Sequence, residues 1–180
     1  MPLKTTLAAL ALLCTCLSAH ALDGRVLKPR PELTPGEAAP GCSLADLRRP
    51  GYSHSVRPPP GFTRRLKHDQ MASGYQGRGL RYSCVEEDHL IPIGWCGNPH
   101  SERNLWPQLR AACGAPEGAS AEAKDSCEYL GFELLRAGHL DLVEAQRGVA
   151  QDWIAYCRDV VTPMAVKFHL EAPRHAGDPE

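Results

Sequence analysis

Apolar residues fall at helical spacing in three stretches of the chain. Phe62, Leu66 and Gln70-Met71 recur at steps of about four residues after the stiff Pro58-Pro59-Pro60-Gly61 break, which predicts a short helix over 62–71. Ser120 can cap a second helix, with Glu122 in its first turn and Cys127, Leu130 and Leu134 along one face, ending at Ala137-Gly138. Asp141 followed three residues later by Glu144 opens a third, whose stripe is Leu142, Ala145, Val149, Trp153 and Tyr156. Pro163 marks its end or lies just beyond it. A candidate strand, Leu80 to Val85, follows a turn-rich loop at 74–79 and runs into Glu86-Glu87-Asp88-His89. Helices after a strand region, with no internal repeat, point to an α+β domain.

Flanking segments lack such a pattern. Residues 22–41 are rich in Pro, Glu, Gly and Ala and read as a flexible leader, with order expected from near Cys42. The ordered domain is expected over 42–160, with 161–180 as a C-terminal tail, disordered after Leu170. At the start, Lys4, the apolar run Leu7–Leu17 and Ala19-His20-Ala21 have the three-part form of a secretory signal over residues 1–21, cleaved near Ala21. The apolar run is too short for a membrane anchor. A secreted or periplasmic protein with no membrane attachment after cleavage is therefore expected.

Cleavage would remove Cys14 and Cys16 and leave Cys42, Cys84, Cys96, Cys113, Cys127 and Cys157. An even number of cysteines in an exported chain argues for disulfides, whose pairing the sequence leaves open. Zinc sites usually carry Cys-x-x-Cys pairs, and Cys96 with His100 is only a half-site. Net charge is −1, so no global field advertises a nucleic-acid partner. Between Ser43 and Ser83, however, Arg48, Arg49, Arg57, Arg64, Arg65, Lys67, Arg78 and Arg81 face only Asp46 and Asp69. This local excess suits a phosphate-facing surface. A nucleophile-elbow serine and a phosphate-cradling P-loop are both absent.

Candidate chemistry concentrates in one segment. Asp88-His89-Leu90-Ile91-Pro92 is followed by the Gly-rich excursion 94–99 and by Asn104-Leu105-Trp106-Pro107-Gln108. An acid next to a histidine at a strand end can reach one ion only if the strand ends or twists there, and Pro92 and the glycines allow that. Asn104, on the returning arm, is placed to hold a hairpin by backbone hydrogen bonds.

With Gly51-Tyr52-Ser53, Val56-Arg57, Leu66-Lys67, Gln70-Met71, Lys124-Asp125, Glu128, Ala145-Gln146 and Asp152-Trp153, this ordered set resembles small exported bacterial proteins with an HNH-type nuclease core. The likeness spans roughly residues 51–156. It implies a small β-hairpin-plus-helix core flanked by helices, stabilised by disulfides and built around one divalent metal ion, Mg or Mn first, with Zn or Ni as alternatives. It implies His89 as general base, Asp88 as a hard oxygen ligand, and Asn104 as the residue orienting the hairpin. Arg57, Arg64, Arg65 and Lys67 would hold a nucleic-acid backbone. The position where HNH nucleases carry a second ligand falls on Ala112 and Cys113, so Asp125 is the candidate replacement, with His100 as another. Cys96 stands where the family has a glycine, which implies a covalent staple on the hairpin. The expected activity is metal-dependent hydrolysis of DNA or RNA phosphodiesters with low sequence specificity and no obligate protein partner. The alternative is a catalytically inactive, disulfide-stabilised binding module of the cell envelope on the same scaffold.

Overall fold

The computed structural model describes residues 27–75 and 79–173; the expected signal peptide and Arg78 lie outside them. The architecture is α+β. Three helices precede a two-stranded antiparallel sheet: α1 (Leu44–Leu47), α2 (Tyr52–Val56) and α3 (Pro60–Ser73). Strands β1 (Val85–His89) and β2 (Leu105–Leu109) follow, then α4 (Ala121–Arg136), α5 (Leu142–Tyr156) and α6 (Thr162–Lys167). The register sets Glu86 opposite Gln108, Asp88 opposite Trp106 and His89 opposite Leu105. Helix α3 packs on both strands and α4 on β1, so the hairpin lies between them.

The helix caps fall where the sequence spacing places them. Ser120 Oγ accepts from Ala123 N at 3.1 Å, and Asp141 Oδ1 from Glu144 N at 2.9 Å. Trp95, Trp106 and Trp153 are buried in the main core with Leu134, Leu135 and Val149. Gly131 of α4 lets Trp95 lie flat on the helix, for a Cβ there would come within 1.9 Å of the indole. The Trp95 Nε1–H donates to Glu128 O at 2.9 Å, so the buried ring is satisfied.

All six cysteines expected in the mature chain are paired: Cys42 with Cys96, Cys84 with Cys113, and Cys127 with Cys157. The first ties the loop between the strands to the segment leading into α1. The second ties the start of β1 to the turn after β2, and the third joins α4 to the end of α5. No helix among the described residues is long and apolar enough to cross a membrane.

Three boundaries differ from the sequence expectation. The strand lies over the charged run 85–89, with Tyr82–Cys84 forming a 3₁₀ turn before it. The acidic side chains sit half-buried beside the flanking helices, so polarity hid the strand. The described part of the leader is laid against the domain. Thr34 is buried and its hydroxyl donates to Leu105 O at 3.1 Å, Ala38 bridges Gly97, and Trp153 Nε1–H donates to Leu27 O. This segment docks through backbone groups and through polar side chains, Thr34, the Lys28 pair with Asp152 and Glu37 accepting from Asn98 Nδ2, which apolar patterning does not register. At the other end, α5 continues through a π-helical turn, Cys157–Val161, into α6, with Val161 and Ala165 buried. Pro163 stands in the first turn of α6, where it is tolerated, so it does not end the domain.

Candidate active site

β1 carries four consecutive polar residues to one end of the hairpin. A small cleft of about 50 Å³ opens there, lined by Glu86, Glu87, Asp88 and His89 of β1, by Asp125 and Glu128 of α4, and by Ser53 and Arg57 at and beyond α2. The cleft thus brings together His89, Asp88, Asp125 and Arg57. Arg64 and Lys67 line the neighbouring groove along α3, which shares Glu86 and Glu87 with the cleft. Arg65 is on the exposed face of α3, and exposed His100 packs its ring against Phe62 at 5.9 Å; neither lines the cleft.

His89 is 6% exposed. Its Nε2 lies 3.0 Å from Pro99 O, and because a carbonyl only accepts, Nε2 carries the proton. The neutral ring therefore has Nδ1 as its basic nitrogen. Burial, only partly opposed by the Pro99 bond and by Asp88, lowers the imidazole pKa to about 4 and keeps it uncharged near neutrality.

Asn104 fixes the loop that presents His89. Its Nδ2 donates to Ile91 O at 2.9 Å and Asn98 O at 3.2 Å, while its Oδ1 accepts from Ile91 N at 2.9 Å and Glu37 N at 3.3 Å. The fully buried amide thereby joins both arms of the hairpin and the docked leader segment. Close packing supports the same loop: a Cβ on Gly97 would lie 1.8 Å from Ile91 O, so only glycine fits.

Lys124 holds the floor of the site. Its side chain is 1% exposed; its ammonium lies 2.8 Å from Asp88 Oδ2, bonds Glu128 Oε1, and donates to His89 O at 2.7 Å. The spacing of Lys124 and Glu128 by one helical turn is the sequence signal for this pair, though it does not disclose Asp88 as third partner. Lys67 plays the corresponding part from α3, donating to Val85 O at 3.0 Å and Tyr82 O at 3.2 Å. Two lysines from opposite helices therefore cap carbonyls of β1, and the Lys67 ammonium is engaged within the fold.

The carboxyls are crowded. Glu87 is pushed up to about 9, first by burial and then by Asp88, and both of its oxygens are buried with no hydrogen-bond partner among the described residues. Asp125 is raised to about 8 by burial, Glu128, Asp88 and Glu86, and Glu128 to about 7, chiefly by burial. Glu86 is raised as well, by burial and Asp88, against Arg110 at 2.6 Å. Burial is the first cause for each, and mutual repulsion between the carboxyls adds to it. Among the described residues, no three His, Cys, Asp or Glu side chains converge closely enough to hold a metal ion by themselves.

Glu86, Glu87, Lys124 and Glu128 are the site residues to which sequence reasoning gave no role, although Lys124 and Glu128 stand in the ordered set that carries the resemblance. Comparisons of the chain with known protein families, curated proteins and solved structures return no match.

Proposed function

We propose that this chain is an exported, metal-dependent endonuclease that hydrolyses phosphodiester bonds of DNA or RNA with little sequence preference, on a hairpin-plus-helix core of the HNH type. The observation that carries this reading is His89. A neutral imidazole with Nε2 anchored to Pro99 O and Nδ1 as its base stands beside a carboxylate cleft rimmed by Arg57. Three disulfides agree with export to an oxidising compartment.

The donor chemistry fits a hard divalent cation. Mg²⁺ and Mn²⁺ prefer carboxylate oxygen, and Mg²⁺ commonly takes one or two protein carboxylates and completes its shell with water and substrate phosphate. That preference accommodates a cleft without three convergent protein ligands. Asp88 and Asp125 would hold the ion, with Asp88 Oδ1 as the atom left after Lys124 takes Oδ2. A bound cation would supply charge stabilisation for the scissile phosphate and the departing oxygen.

The remaining work falls to the protein's own groups. His89 Nδ1 accepts the proton of the attacking water, and Pro99 O stabilises the imidazolium through Nε2–H. Asn104 holds the loop that orients the ring. Arg57 offers a guanidinium to the non-bridging phosphate oxygens. Lys124 fixes Asp88 and limits the negative charge of the cleft. Contacts to the nucleic-acid backbone without hydrogen bonds to base edges give low sequence preference.

The test is nicking of supercoiled plasmid and of RNA by the oxidised protein with Mg²⁺, Mn²⁺ or chelator. Metal-dependent cleavage absent from His89→Ala supports the nuclease. One observation favours the second reading, an inactive envelope-binding module. The buried Lys124 ammonium already pairs with Asp88 and Glu128, and such a module would cleave neither substrate with any metal.

A further inference from the structure

Between the start of α2 and the last turns of α4, the surface holds a pocket of about 580 Å³. Its base is closed by the buried Leu47 and Phe132, and Arg48, Arg49, Arg136 and His54 stand around it. Its size lies within the range of small-molecule sites. None of its residues belongs to the cleft described above, yet the two are neighbours. Ser53 lines the cleft and His54 the pocket, and a Cβ on Gly94, in the cleft wall, would sit 3.3 Å from the Phe132 ring.

The charge of the rim is poorly compensated. Arg49 pairs with Asp46 at 3.0 Å and Arg136 with Glu133 at 3.5 Å, both at solvent-exposed guanidiniums where ion pairs are weak and exchangeable. Arg48 donates to Arg136 O at 3.3–3.4 Å, a neutral acceptor that leaves its charge unbalanced. Arg136 also lies over the Phe132 ring, 5.3 Å from its centroid. An exposed guanidinium plane beside an unbalanced arginine suits a ligand with a flat, stackable body and an attached anion.

We propose that this pocket seats a nucleotide about two or three phosphates away from the scissile one in a single-stranded nucleic acid, the span set by the roughly 16 Å of α4 between Asp125 and Arg136, with its base on the outer face of the Arg136 guanidinium and its phosphate on Arg48. The inference rests on the nuclease reading and names the substrate form for it. A base inside a duplex is stacked and paired and cannot enter such a pocket, whereas a single strand offers it freely. A single strand would thereby run from the cleft past α2 to the pocket.

The experiment uses the disulfide-intact chain in chelator, which blocks cleavage, and measures fluorescence anisotropy of a labelled short DNA single strand and of its duplex. Arg48→Gln and Arg136→Gln are each expected to weaken single-strand binding about tenfold. Arg147→Gln, in an exposed α5 pair with Glu144, is expected to leave it unchanged. Arg48→Gln should also flatten the salt dependence by about 0.7 in the log–log slope, the loss of one phosphate contact on a single strand. Wild-type affinity in both pocket variants, or a duplex bound as tightly as the single strand, overturns the proposal. Arg48-dependent binding by a protein that cleaves nothing with Mg²⁺ or Mn²⁺ sustains the pocket and removes the nuclease. Cleavage with unchanged KM in Arg48→Gln and Arg136→Gln does the reverse.

Discussion

Glu87→Gln is expected to make the protein more stable, and increasingly so as pH rises. The Glu87 carboxyl has no hydrogen-bond partner for either oxygen among the described residues and holds its proton to about pH 9, against an ordinary value of 4.5. Between those values the folded state keeps a proton that the unfolded state has released, so stability falls with increasing pH. The limiting slope is about 1.4 kcal/mol per pH unit, or about 4 kcal/mol between pH 5 and pH 8. Water reaching the half-buried side chain relaxes part of this, leaving about 2 kcal/mol. Glutamine keeps the shape and has no charge to suppress. The difference in unfolding free energy between Glu87→Gln and wild type should therefore widen by about 2 kcal/mol from pH 5 to pH 8, a Tm gap of roughly 4–8 °C for a domain of this size. Urea or thermal unfolding across that range reads it directly. A gap independent of pH would refute the reasoning, because it would mean that Glu87 ionises in the folded protein as it does in water.

Three further outcomes follow from the same geometry. Asn104→Ala removes the partners of the Ile91 amide and carbonyl in a buried loop and should cost about 3 kcal/mol, with faster hydrogen exchange at Ile91; an unchanged urea midpoint would contradict the bridging role. Lys124→Met strands Asp88 and Glu128 and should cost about 3–5 kcal/mol in urea unfolding, part of it regained when Glu128→Leu is added; no loss would mean that the triad contributes nothing. Replacing Cys42 and Cys96 by serine opens a loop spanning 54 residues and should cost about 4 kcal/mol by chain entropy, against a null result of equal denaturant midpoints.

The helical half of the fold was legible because its signals are local. Ser120 and Asp141 each cap within three residues, and the Trp153 stripe repeats along one helix. The strand was not, because Glu86, Glu87 and Asp88 read as solvent residues until α3 and α4 close over them. Docking of residues 27–41 was hidden for a related reason: it depends on Thr34, Glu37 and backbone groups meeting partners far away in sequence, such as Leu105, 71 positions from Thr34, and Asn104, 67 from Glu37. At the site, Asp88, His89 and Asn104 stood out as an ordered group, and Arg57 and Asp125 lie on the same cleft. Lys124 stayed unassigned because its partners come from three places: Asp88, the His89 carbonyl and its own helix. Glu87 was missed because nothing in sequence distinguishes a stranded buried carboxyl from an exposed one. Arg65 and His100 show the converse, since near placement in sequence put neither on the cleft.

The most direct test of the central claim is single-turnover cleavage of a nucleic-acid strand by wild type and His89→Ala in Mn²⁺, with circular dichroism and oligonucleotide binding measured on both. The account predicts metal-dependent cleavage by the wild type. It further predicts a loss of about 10²–10⁴ in rate for His89→Ala, the range for a general base, with fold and binding retained. Equal rates in the two proteins, or no cleavage by a folded wild type with any divalent metal, would contradict it.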